Sequence, residues 1–145
     1  MKYSNSTFQK IVFPITLIAF LFFLSSCSKK IYFSNSAVVP AAQGYVQMKK
    51  DKNGNYNLNI SIVNLAPPQR LQPAAVTYQV WMETDQNGTK NLGKIITSDN
   101  LLSKTLKASF SSVTPFRPTR IYITAENEAA VANPGSMSVL TTSAF

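Results

Sequence analysis

The chain has 145 residues, of which 14 are basic and 6 acidic, with no histidine and one cysteine. The lack of histidine and of a second cysteine excludes the common zinc and copper sites, nucleophile–base pairs and internal disulfides, so we expect no metal site and no cofactor. The length fits one domain. The net charge of +8 is scattered in runs of at most two basic residues, which favours a role in solubility over contact with anionic membrane headgroups. We expect no nucleic-acid partner, because the sequence has no arginine-rich stripe.

The first residues have the pattern of an export signal. Lys2 and Lys10 precede an apolar run over 11–24, which is shorter than the ~20 residues that span a bilayer. The run ends in LSSC at 24–27, and the Cys27 thiolate is the nucleophile that can accept a lipid. This segment resembles a bacterial lipoprotein signal with its lipobox, which implies a signal peptide over 1–26 and an acyl anchor such as palmitate on Cys27.

A buried cysteine in a hydrophobic helix is the alternative interpretation of Cys27, and Ser28-Lys29-Lys30 directly after it argues against a continuing apolar helix. Residues 27–43 have no clear period and contain Pro40, so we expect a lipid-anchored tether there. Tyr32 and Phe33 in this segment are either membrane-interface aromatics or without a role. Ser28 rather than Asp follows the cysteine, which favours an outer-membrane location facing the periplasm.

From residue 44 onward the chain alternates between apolar and polar side chains with a period of two, as β-strands do. Asn-Gly at 53–54 and 87–88 predicts hairpin turns over 51–55 and 85–88. Residues 97–105 are either a loop or a helical turn capped by Ser98 or Asp99. The predicted strands are 44–50, 56–65, 75–84, 89–96, 106–110, 120–126 and 136–142.

Seven short strands without a helix favour an all-β fold, an antiparallel two-sheet sandwich of immunoglobulin-like type over residues 44–145. A small closed barrel is the second possibility. In either fold, the alternation places Ile60 and Ile123 in the core and Asn59 and Tyr122 on the opposite face.

Three segments carry a resemblance to a known family. NISIVNL at 59–65, VTYQVW at 76–81 with Leu-Gly at 92–93, and IYITAE at 121–126 with Asn-Pro-Gly-Ser at 133–136 resemble the extracytoplasmic C-terminal domain of anti-sigma-K-type factors. The resemblance covers roughly residues 44 to 142 and implies an exported all-β domain. It does not bring the anti-sigma activity, because the sequence lacks the family's sigma-binding segment, its histidines and its membrane helix.

Two pairs of carboxylates are the candidates for acid–base or cation chemistry. Glu83 with Asp85, and Glu126 with Glu128, are each two residues apart and would share one face of a strand. Solvated charges at strand ends are the simpler interpretation, because catalytic sites usually draw on distant segments. We therefore expect that the protein is not an enzyme.

Trp81 is the candidate ligand-binding residue, together with Tyr45 and Tyr122. Its neighbours of the same parity are Gln79 and Glu83, so the alternation places the indole outside the main core, where it could stack on a sugar. Packing against a neighbouring strand is the other interpretation, and it is favoured because the single Trp of a central strand commonly lies inside.

The sequence thus predicts a non-catalytic, lipid-anchored cell-envelope protein whose β-domain binds an envelope protein or polysaccharide, with the membrane as its second partner. A carbohydrate- or peptidoglycan-binding module is the first alternative. An extracytoplasmic regulator or sensor in anti-sigma-type signalling is the second, and it depends on the family resemblance alone.

Overall fold

The computed structural model describes residues 28–98 and 106–145. The predicted signal peptide, Cys27 and most of the uncertain segment 97–105 lie outside the described residues. The all-β class is confirmed, since the described helical structure is a single 3-10 turn, Pro68–Arg70. The strands are β1 Lys29–Tyr32, β2 Gln43–Lys50, β3 Tyr56–Val63, β4 Thr77–Thr84, β5 Thr89–Ser98, β6 Lys107–Thr114, β7 Pro118–Glu126 and β8 Ser138–Thr141.

These eight strands form one curled antiparallel sheet in the order β1-β2-β3-β6-β5-β4-β7-β8. The strand β5 joins its two halves, because Thr89 to Ile95 pair with β4 whereas Ile96 to Ser98 pair with β6. One isolated bridge, between Phe33 and Thr142, links the residues that follow β1 and β8. The sequence predicted seven strands in two separate sheets, whereas the structure has a continuous half-barrel of eight.

The predicted strand register is confirmed in both halves. Ile60 in β3 is 2% exposed and Ile123 in β7 is fully buried, whereas Asn59 is exposed and Tyr122 half-buried. The pleat sends alternate side chains to opposite faces, so the apolar residues of each strand meet on the concave side. The core cluster consists of Val39, Ala42, Val46, Leu58, Ile60, Ile62, Leu65, Leu71, Ala75, Tyr78, Val80, Met82, Ile95, Ala108, Ile121, Ile123, Ala125, Val139 and Leu140.

Both predicted hairpin turns are present. In the β2–β3 turn one oxygen of Asp51 accepts the backbone N–H groups of Asn53 and Asn55, each at 2.8 Å. Gly54 and Gly88 have φ of 87° and 63°, which glycine adopts at little cost and which lets the chain reverse within these short turns.

The structure corrects the prediction of a tether over residues 27–43. The described part of this segment contains β1, which pairs with β2 from Lys29 opposite Met48 to Tyr32 opposite Tyr45. Ile31 is buried on the core side, and Val39 and Ala42 belong to the core. Four residues are too few to show a clear period of two, so the sequence pattern did not predict this strand. The folded domain therefore begins by residue 29.

Tyr78 connects the core to the segment between β3 and β4. Its side chain is 1% exposed, and its hydroxyl donates a hydrogen bond to the Ala66 carbonyl at 2.8 Å. Burial raises the pKa of Tyr78 to about 12, because the phenolate would lose its hydration inside the fold. The proline-rich connection over 66–74 is thus fixed to the core by a neutral phenol.

Candidate functional site

Trp81 lies on the outer face of β4 and is nevertheless buried. Its neighbours Val80 and Met82 point into the core, while the indole points the other way and does not belong to the core cluster. The side chain is only 1% exposed. The alternation along β4 therefore predicted the correct face, and a second packed layer covers that face.

A chain of hydrogen bonds runs from the indole to a buried carboxylate. Trp81 Nε1–H donates to Thr124 Oγ1 at 2.7 Å. The Thr124 hydroxyl in turn donates to Glu126 Oε1, and the same oxygen accepts the Gly135 backbone N–H at 2.8 Å. Thr124 and Glu126 are 1% and 5% exposed. Polar groups buried in this way are costly unless partnered, so the three bonds make the buried layer possible.

Residues 127–137, between β7 and β8, form the cover over this layer, and we refer to them as the cover segment. Gln79 Nε2 donates to the Ala129 carbonyl at 3.4 Å, and Asn91 Nδ2 donates to the Val131 carbonyl at 3.0 Å. With the Gly135 bond to Glu126, three side chains of the sheet hold the cover segment down. The other amide atom of Gln79, Oε1, is buried without a partner.

The structure brings two of the three candidate aromatic residues together. Tyr122 in β7 lies directly opposite Trp81, and burial raises the pKa of Tyr122, with the nearby Glu83 carboxylate acting in the same direction. Tyr45 is in β2, in the other half of the sheet, where its ring centroid is 6.0 Å from that of Tyr32. In this conformation the covered indole has no open face on which a sugar could stack.

Neither pair of candidate carboxylates forms an open site. Glu83 makes an ion pair with Arg120 at 3.2 Å, and Asp85 is exposed in the β4–β5 turn. Glu126 is buried in the hydrogen-bonded layer, whereas Glu128 is exposed in the cover segment. Within residues 28–98 and 106–145, no three side chains of the types His, Cys, Asp and Glu are grouped as metal ligands.

The residues that follow Cys27 are attached to the sheet. Gln47 Nε2 donates to Ser28 Oγ at 2.6 Å, and Lys29 starts the pairing with β2. We name the end of the sheet where they lie the anchor-side end. The turns 51–55 and 85–88, the connection 115–117 and residues 143–145 also lie there. None of the helical structure in the described part of the chain is long and apolar enough to cross a membrane.

Sequence reasoning missed the Trp81–Thr124–Glu126 layer. Two signals point to it in retrospect. Thr124 and Glu126 alternate with the core residues of β7 on the same face as Tyr122, and the cover segment is long for a link between paired neighbours. Neither signal shows that the segment folds back over the sheet, because that depends on contacts with Gln79 and Asn91 far away in the sequence.

Comparisons with protein families, with curated proteins and with solved structures find no match to this chain. The likeness to anti-sigma-K-type domains therefore stays an expectation from the sequence. The function of this chain therefore has to be derived from its own residues.

Replacing Glu126 with alanine should loosen the cover segment. The Thr124 hydroxyl and the Gly135 N–H would lose their shared acceptor, at a cost of about 1–3 kcal/mol in the free energy of unfolding. We expect the emission of Trp81, the one tryptophan of the chain, to shift to the red and to become more sensitive to acrylamide. The matched control is Glu128→Ala, which removes an exposed carboxylate two residues away. Equal emission spectra in the two variants would contradict the role of Glu126.

Proposed function

We propose that this chain is a non-catalytic lipoprotein of the bacterial cell envelope, anchored through a lipid on Cys27 and facing the periplasm from the outer membrane. The main support, beside the signal pattern, is that β1 begins at Lys29, two residues after Cys27. A lipid at that position would hold the sheet directly against the bilayer. The role of the protein is then to present a rigid β-domain to a protein or polysaccharide partner at a fixed height above the membrane.

We further infer that the curled sheet packs as an immunoglobulin-type sandwich. The strand order supports this inference, because β2-β3-β6-β5 and β4-β7-β8 correspond to the two sheets of the constant-type fold. In that fold a buried Trp lies on the strand equivalent to β4, which here carries Trp81. The indole of Trp81 packs on the outer face, however, so the correspondence concerns the strand order and not the core.

The two alternatives have weaker support. A carbohydrate-binding module would have to use Tyr45 and the exposed Tyr32 beside a groove of about 360 Å³, since Trp81 is covered. A regulator of anti-sigma type depends on the resemblance of three segments and on no further observation. The anchored interaction domain is therefore the function that we favour.

Lipid attachment can be tested in cells that express the full chain. We expect an alkyne analogue of palmitate to label the wild-type protein, and the label to disappear in Cys27→Ser, because serine lacks the nucleophilic sulfur. The matched control is Ser28→Ala, which changes the adjacent residue and should keep the label. The wild-type protein should also stay in the membrane fraction after a high-salt wash, since acyl chains resist salt. An unlabelled wild type, or a labelled Cys27→Ser variant, would refute the anchor.

A further inference from the structure

Basic side chains are concentrated at the anchor-side end of the sheet. This end carries two acidic residues, Asp51 and Asp85, while Glu83 and Arg120 pair with each other. The basic residues at its rim are Lys29, Lys49, Lys50, Lys52, Lys90 and Arg117. In contrast, the described loops at the opposite end, 33–42, 64–76 and 127–137, together with the strand ends beside them, carry two basic residues, Arg70 and Lys107, and two acidic residues, Glu126 and Glu128. Among the described residues, one end of the sheet is thus strongly basic and the other is neutral.

Aromatic rings lie beneath three of these basic groups. The ammonium of Lys29 is 5.7 Å from the ring centroid of Phe145, that of Lys50 is 5.5 Å from Tyr56, and that of Lys90 is 5.3 Å from Phe116. All three rings are half-buried. Aromatic rings combined with cations are typical of protein surfaces that contact the headgroup region of a membrane, where one part of the side chain is apolar and the other polar.

The position of Ser28, the first described residue, limits how far the anchor-side end can lie from a lipid attached to Cys27. Ser28 and Lys29 lie at the anchor-side end, and the two residues from Cys27 to Lys29 span at most about 7 Å. If Cys27 carries the lipid, the bilayer surface is within that distance of Lys29, at the same end of the sheet as the other basic residues. A lipid surface rich in anionic headgroups then has both the required charge and the required position.

We propose that the anchor-side end is a docking surface for the anionic headgroups of the membrane that holds the anchor. The sheet then stands upright, with the turns 51–55 and 85–88 on the bilayer and the loops 33–42 and 64–76 away from it. This inference rests on the proposed lipid anchor at Cys27, and it adds that the domain has a defined orientation on the membrane. The partner-binding surface would accordingly be at the neutral end, about one strand length of 26 Å above the headgroups.

The orientation can be measured with the lipid-modified full-length mature protein reconstituted in vesicles. Cys27 is the one cysteine of the chain, so Asn53→Cys in the β2–β3 turn and Ala41→Cys, at an exposed position just before β2, can each carry a single fluorophore at opposite ends of that strand. Energy transfer to an acceptor on the lipid headgroups reports the height of each fluorophore. In vesicles of phosphatidylcholine and phosphatidylglycerol, we expect position 53 to lie about 26 Å closer to the surface than position 41, because the eight residues of β2 separate them.

Charge variants test the cause of the orientation. Lys50→Gln/Lys52→Gln should reduce the height difference between the two fluorophores, as should phosphatidylcholine alone or high salt, because each removes part of the attraction. The matched control, Arg70→Gln/Lys94→Gln, removes the same charge away from this end and should keep the difference.

Three results would overturn the proposal. Equal heights at positions 53 and 41 in anionic vesicles would exclude the orientation. A difference that persists unchanged in phosphatidylcholine and in the Lys50→Gln/Lys52→Gln variant would exclude headgroup charge as its cause. If the protein failed to float with vesicles in high salt, the anchor itself would be wrong, which separates failure of the proposed function from failure of the orientation.

Discussion

Replacing Trp81 with alanine should lower the free energy of unfolding by about 3–5 kcal/mol, the usual cost of truncating a buried large aromatic residue. Trp81 is 1% exposed on the outer face of β4, so its truncation leaves a cavity in the outer layer. It also removes the donor to Thr124 Oγ1. Denaturant unfolding of the mature protein, followed by circular dichroism, measures this loss without depending on tryptophan emission.

The matched control is Trp81→Phe, which keeps an aromatic ring in the layer but lacks the indole N–H. We expect a clearly smaller loss than for alanine, because one hydrogen bond contributes about 0.5–1.5 kcal/mol on average. A loss below about 1 kcal/mol for Trp81→Ala would be typical of a surface residue. It would mean that the cover segment does not pack on the indole, and it would restore Trp81 as a candidate for binding a sugar.

Replacing Ile60 with alanine should cost about 2–5 kcal/mol, whereas Asn59→Ser should change the stability by no more than about 0.5 kcal/mol. Ile60 is 2% exposed in the core, and the neighbouring Asn59 is exposed, accepting a hydrogen bond from Ser111 Oγ at 2.8 Å at the surface. The same unfolding measurement compares the two variants, with residues 28–43 retained because they belong to the fold. Equal losses for the two variants would mean that the register of β3 is wrong.

The alternation of side chains predicted most of the strands and the faces of their residues. It missed β1, Lys29–Tyr32, because so short a strand at the edge of a sheet has no clear period. It also did not reveal that β5 pairs with β4 along one part and with β6 along another. Strand pairing depends on contacts between distant segments, so the period within one strand carries little information about it.

The candidate site was predicted less completely than the fold. The outward direction of Trp81 followed from parity, whereas its burial depends on the cover segment, which is held by Gln79, Asn91 and Glu126. Those hydrogen bonds join residues up to 50 positions apart. A short-range sequence pattern cannot report such contacts.

The basic surface at the anchor-side end was not predicted for the same reason, since it forms from residues that are far apart in the sequence. In the sequence, Lys29, Lys50, Lys90 and Arg117 are widely separated, which favoured the interpretation of scattered charges that serve solubility. The fold brings them to one end of the sheet, because alternate turns of an antiparallel sheet meet at the same edge. The asymmetry of charge is thus a property of the topology, and the basic end is the one where the described chain begins, at Ser28.

The mass of the N-terminal peptide of the mature protein tests the central claim, anchoring at Cys27, most directly. Protein purified from the membrane fraction is digested, and the first peptide is identified by mass spectrometry. We predict that this peptide starts at Cys27, lacks residues 1–26 and carries the added mass of acyl chains. A peptide that starts at another residue, or that carries Cys27 as an unmodified thiol, would contradict the anchor and the orientation that depends on it.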